Sequence, residues 1–131
     1  LEPLALLAEN YALWREARGG EPDPRAPRVP VMRLVVVDRD DAEARRVREA
    51  LARELAGRVG PRAPAALRRA AAGALEERAL VGTEDQVAEA LARYRERLGM
   101  DLLVARGELP GASEAGREAS LERLAALAAA G

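Results

Sequence analysis

Residues 80–111 read LVGTEDQVAEALARYRERLGMDLLVARGELPG, and this stretch decides the fold because a capped amphipathic helix runs straight into an apolar strand. Thr83 stands three residues before Gln86, the Ser/Thr-x-x-Glu/Gln spacing in which each side chain satisfies the other residue's free backbone N–H. Glu84 and Asp85 place negative charge in the first turn, and Arg93, Arg95 and Arg97 place positive charge near the end, as the helix dipole favours. Gly99 supplies the left-handed stop. Val87, Leu91, Tyr94 and Leu98 recur at helical spacing and predict one buried stripe, after which Leu102–Ala105 reads as a short strand buried on both faces. A helix feeding such a strand is the second half of a parallel α/β repeat.

Upstream, Leu4, Leu7, Tyr11 and Trp14 share a helical stripe within residues 1–20, ended by Gly19-Gly20 and followed by a proline-punctuated connector from Glu21 to Pro30. Aromatic residues on such a stripe are core more often than they form a cofactor wall. Val31–Val37 lacks the alternation of a half-exposed strand and reads as a buried parallel one. Asp40 with Glu43 predicts the start of a helix carrying Val47, Leu51 and Leu55, and Pro64 predicts another reaching Ala79 with Leu67, Ala71 and Leu75. Residues 40–79 thus read as a helical insertion, and 80–131 as a final helix-strand-helix repeat closed by Leu121, Leu124 and Ala128. Two strands joined through helices should lie parallel in one sheet, and their apolar edges need partners.

The chain has no Cys, His or Lys, so disulfides, thiolate or Schiff-base nucleophiles, imidazole bases and nitrogen or sulfur metal ligands are excluded. With 21 basic and 22 acidic residues it carries no one-sided field for nucleic acid. No apolar run approaches a membrane span and no signal peptide opens the chain, so no membrane partner and a cytoplasmic location are expected. Difficult chemistry would have to come from a cofactor.

Several motifs, in order, resemble the C-terminal end of the luciferase-like monooxygenases, flavin- or deazaflavin-dependent oxidoreductases built on a TIM barrel. They are Val31–Val37 with Asp38-Arg39-Asp40-Asp41-Ala42-Glu43-Ala44-Arg45, then Val81-Gly82-Thr83-Glu84-Asp85, Leu98-Gly99-Met100-Asp101, Leu102–Ala105, and Arg106 followed by Pro110-Gly111. Glu84 stands where the family usually has proline, and Glu108-Leu109 replaces its common Gln-Trp. The resemblance implies a partial domain over residues 1–131, the C-terminal part of a (β/α)8 barrel with two parallel strands and several helices, since a whole barrel takes ~250 residues.

It also implies where a site would lie, because barrel active faces sit at the C-terminal ends of the strands. Asp38 and Arg39 end the first strand, and Arg106, Gly107 and Glu108 end the second. Arg106 is placed to meet a flavin phosphate or an anionic substrate, with Glu108 as a polar gate. An Arg106–Glu108 or Arg106–Asp101 surface pair is the favoured plain alternative. Gly82, at a helix N-terminus, is the remaining candidate for phosphate, although Glu84 and Asp85 beside it favour simple capping. FMN or deazaflavin is the implied cofactor of the whole family fold, and this chain alone is expected to be inactive and to bind neither. Its expected partners are the rest of a barrel or other copies of the chain, as a homo-oligomer. The rival readings are a non-catalytic α/β interaction module that self-associates, and a small flavin-binding protein assembled from several copies.

Overall fold

The computed structural model describes residues 2–19, 29–108 and 113–130. Most of the proline-punctuated connector and the Pro110-Gly111 turn therefore lie outside the described residues. The order is α1 (Leu4–Ala17), β1 (Pro30–Asp38), α2 (Asp41–Arg58), α3 (Ala65–Ala71), a 3-10 turn (Leu75–Glu77), β2 (Ala79–Thr83), α4 (Glu84–Leu98), β3 (Leu102–Arg106) and α5 (Glu114–Ala130). The three strands form one parallel sheet in the order β2-β1-β3.

The two expected strands are present, parallel and adjacent, and a third joins them. The helix expected from Pro64 to Ala79 stops at Ala71. At Gly73 the chain crosses Pro3 so closely that a Cβ would lie 2.3 Å from the proline ring, which halts the helix and turns the backbone into the 3-10 turn and β2. Alanine-rich composition hid this strand, because Ala79 and Gly82 carry no strand preference of their own.

In a barrel arc each strand neighbours its successor, whereas here β3 lies on the far side of β1. This puts the nine-residue, valine-rich β1 in the middle, paired on both edges, and leaves two five-residue strands as the edges. Right-handed crossovers running in opposite directions then place their helices on opposite faces. Val31, Val35, Val37 and Leu80 pack with α4, α1 and α5 through Val87, Leu91, Tyr94, Leu98, Leu4 and Leu124. Val36, Ala79 and Val81 pack with α2 through Val47 and Leu51.

The helix features read from the sequence are formed. The capping box of Thr83 and Gln86 is complete, Gly99 takes the left-handed φ of 65°, and Val87, Leu91, Tyr94 and Leu98 are buried. Asp40 caps α2 by accepting from Ala42 N–H at 2.8 Å, while Glu43 pairs with Arg46 instead of closing a box.

Other expectations are corrected. β3 is not buried on both faces: its exposure alternates, and Leu102 and Val104 are open to solvent because α2 packs over β2 and β1. Leu67 is exposed, and α5 buries Ser120 and Leu124 while Leu121 faces out. Trp14 is 40% exposed under Arg18, so only Tyr11 of that pair packs against the core.

Candidate active face at the strand ends

Three short stretches meet at the C-terminal ends of β1 and β2: the start of α2, the start of α4, and the middle of α5. Thr83 is level with Asp38 in the parallel register, so both helices begin at the same height. Asp41, Arg45 and Arg48 follow at one-turn and two-turn spacing and face β2 and α4 together.

Asp41 Oδ1 accepts from Gln86 Nε2 at 3.2 Å and from Arg48 at 3.3 Å, and Asp41 Oδ2 accepts from Arg45 at 3.0 Å. Arg48 also donates to Gln86 Oε1 at 3.3 Å and to the Val81 carbonyl at 3.0 Å. The Gln86 hydrogen bond, followed by Arg45 and Arg48, holds the Asp41 carboxyl below its ordinary range against a smaller opposing effect of desolvation. Asp41 is thus a fixed anion and acceptor, unsuited to carrying a proton near neutrality. The network binds and orients; it contains no nucleophile.

On the other side of β1, α5 lies against the strand end. Ser120 Oγ, buried, accepts the Val37 N–H at 2.8 Å, and Arg123 donates to the Val37 carbonyl at 2.9 Å while standing 4.0 Å from Glu84. The crevice between β1 and β3, where open α/β sheets hold ligands at the reversal of strand order, is therefore filled by the protein's own side chains.

The candidate residues read from the sequence do not converge. Arg106 is level with Leu34, four residues below Asp38, and pairs with Glu108 at 3.8 Å in solvent. Gly82 is level with Val37 on the opposite edge strand, about 14 Å from Arg106 on ordinary sheet spacings. A Cβ at Gly82 would meet Gln86 atoms at 2.6 and 2.8 Å, so this glycine makes room for the capping glutamine. Arg106 instead borders a groove of about 360 Å³ floored by Leu34, Leu51, Leu55 and Leu67. The Asp41–Arg48–Gln86 cluster escaped the sequence reading; the spacing of Asp41, Arg45 and Arg48 was visible, but nothing in the sequence linked them to Gln86.

Taken together, Gly82, Arg106, Gly107 and Glu108 do not fit a flavin: Arg106 and Glu108 share the leucine-floored groove beside β3, whereas Gly82 lies on the opposite edge strand, where the helix N-terminus is already occupied by its capping box. Among the described residues, no group of His, Cys, Asp and Glu could hold a metal ion, and no helix is long and apolar enough to cross a membrane.

Parallel strands alternating with helices, with polar side chains gathered at the strand ends, are an organisation shared with α/β barrel segments, here with the strand order β2-β1-β3. The match to the luciferase-like monooxygenase family model spans residues 1–102 of 131, and the chain belongs to that family of oxidoreductases. The match ends at Leu102, the first residue of β3. A comparison with curated proteins returned no match.

Proposed function

We propose that this chain serves as the C-terminal segment of a flavin-dependent oxidoreductase, using FMN or a deazaflavin, and that the cofactor is held by elements outside residues 1–131. The observation that carries this reading is the family match across α1 to α4, with the strand ends and their polar network within it. The bound flavin would supply the redox chemistry. This chain's share is structural and electrostatic: Asp41, Arg48 and Gln86 fix the ends of β2 and α4, and Ser120 and Arg123 fix the end of β1. Arg106 and Glu108 stand exposed at the end of β3, apart from the face at the ends of β1 and β2.

Titration of the purified chain with FMN and with a deazaflavin, followed by fluorescence, tests the assignment. No saturable binding by the monomer is expected, because the ends of three strands in an open sheet cannot enclose an isoalloxazine. Micromolar or tighter binding by a monomer would overturn it.

A second reading, a self-associating α/β interaction module, is favoured by one specific feature. Met32, Leu102 and Val104 are 51%, 36% and 39% exposed and stand side by side on one sheet face.

A further inference from the structure

The chain is anchored as far as Asp101 and loosely held beyond it. Met100 is buried in the core, and Asp101 Oδ1 accepts the Val29 N–H at 2.5 Å. After that point β3 pairs with β1 alone; Leu103 and Ala105 are only partly buried against the core, and Leu102 and Val104 are bare. Among the described residues after Met100, Leu124 is the one buried apolar side chain. Apart from it and the partly buried Leu127, α5 is held through Ser120 and Arg123, both bonded to Val37 of β1, with Arg123 4.0 Å from Glu84.

The free energy of a local opening is set by the apolar burial and the hydrogen bonds that it gives up. Parting β3 and α5 from β1 gives up one ladder, the two side-chain bonds to Val37 and the burial of Leu124. It leaves the β1–β2 ladder intact, and the cluster of Val36, Val47, Leu51, Ala79 and Val81 takes nothing from β3 or α5. The buried Arg33, bonded to Tyr94 and to the Glu2 carbonyl, also keeps its partners. The family match stops at Leu102, where the weakly held part begins. In barrel order, the edge of β1 that β3 and α5 close is the place of the strand before β1.

We propose that β3 and α5 form a latch, which stands in for that preceding strand and opens from β1 as one unit while β1, β2, α2 and α4 stay folded. Opening bares the Val37 backbone groups and the β1 edge below them without disturbing the polar network of Asp41, Arg48 and Gln86 at the other strand ends. The inference rests on the proposed function only in naming the strand whose place is filled; the opening itself is independent of any flavin.

Native-state hydrogen exchange of the full chain in low urea tests it. The amides of β3 and α5 should share one opening free energy, below that of α2, β2 and α4. The Val37 N–H should exchange with them although it lies in the central strand, because its acceptor is Ser120, whereas Val36, whose groups alternate to the β2 side, should exchange with the core. Ser120→Ala should speed the β3 amides about tenfold, although its bond is to β1. Val47→Ala should speed α2 and β2 and leave β3 and α5 at the parent rate, since the open and closed forms both keep that cluster. One opening free energy throughout the chain, different energies for β3 and α5, or β3 and α5 rates that rise in Val47→Ala would overturn the latch. The FMN titration does not bear on these rates, so a failure of the flavin assignment and a failure of the latch are told apart.

Discussion

Ser120 Oγ accepts the backbone N–H of Val37 at 2.8 Å across 83 residues of sequence, and Arg123, one turn further along α5, donates to the carbonyl of the same valine. The geometry follows from unequal strand lengths. β3 pairs with β1 only as far as Leu34, so the last part of the β1 edge would be left open without α5. A helix face bearing a hydroxyl and a guanidinium replaces the missing strand as donor and acceptor.

Ser120→Ala should therefore leave a buried N–H unpaired and destabilise the chain by roughly 1–3 kcal/mol. Urea unfolding measures it. A loss below about 0.5 kcal/mol, the scale of a neutral surface change, would mean that Val37 gains nothing from Ser120.

Thr83→Ala should cost ~1 kcal/mol through loss of the N-cap. Gln86→Ala should cost at least as much, because the same amide also bonds Asp41 and Arg48. In a double-mutant unfolding cycle the two losses should fall short of additive, since the box needs both residues. Strict additivity would remove the reciprocal capping interaction.

Arg33 is a buried cation with no carboxylate partner among the described residues. Its Nε donates to Tyr94 OH at 2.6 Å, its guanidinium reaches the carbonyls of Met32 at 3.0 Å and Glu2 at 2.9 Å, and Tyr94 OH donates to the Glu77 carbonyl at 2.8 Å. Tyr94→Phe strips a partner from the buried Arg33 Nε and should destabilise by roughly 1–3 kcal/mol. Adding Arg33→Met removes the stranded cation and should recover part of that loss. A double variant less stable than Tyr94→Phe would show that the arginine's carbonyl contacts outweigh its desolvation.

Two groups set opposite limits on pH stability. Burial raises the Tyr94 phenol, an effect only partly offset by Arg33, so its contribution is full below the unfolded pKa of ~10 and is lost as pH rises through the folded value. The lowered Asp41 contributes above the unfolded carboxyl pKa, ~4, and that contribution is lost as pH falls through its folded value. Denaturation midpoints measured across pH should fall at both ends. Tyr94→Phe should flatten the alkaline arm and Asp41→Asn the acid one; an alkaline arm unchanged in Tyr94→Phe would assign it elsewhere.

Local chemistry was readable before any coordinates. The Thr83–Gln86 box, the Gly99 stop, the Val87–Leu98 stripe and the apolar run of β1 each depend on residues within a few positions of one another, and each is formed as read except that β1 is continuously buried only from Val35 to Val37 and leaves Met32 exposed. So were the two parallel strands, because helical connections between strands permit little else. What failed were readings that needed to know what lies opposite. Leu102–Ala105 has the composition of a fully covered strand, but whether its second face is covered depends on which strands α2, in a different layer, packs against, and those are β1 and β2. Ala79–Thr83 looks too weak for a strand and is one because Leu34–Asp38 offers it a ladder. Arg106 and Gly82 suggested one site, and the strand order β2-β1-β3 set them on opposite edges. Sequence specifies interactions whose partners are close along the chain, because their geometry is fixed by helical and strand periods. Which strand sits beside which, and hence which side chains share a surface, is decided by packing the layers to bury β1 on both edges, and that competition is visible only in three dimensions.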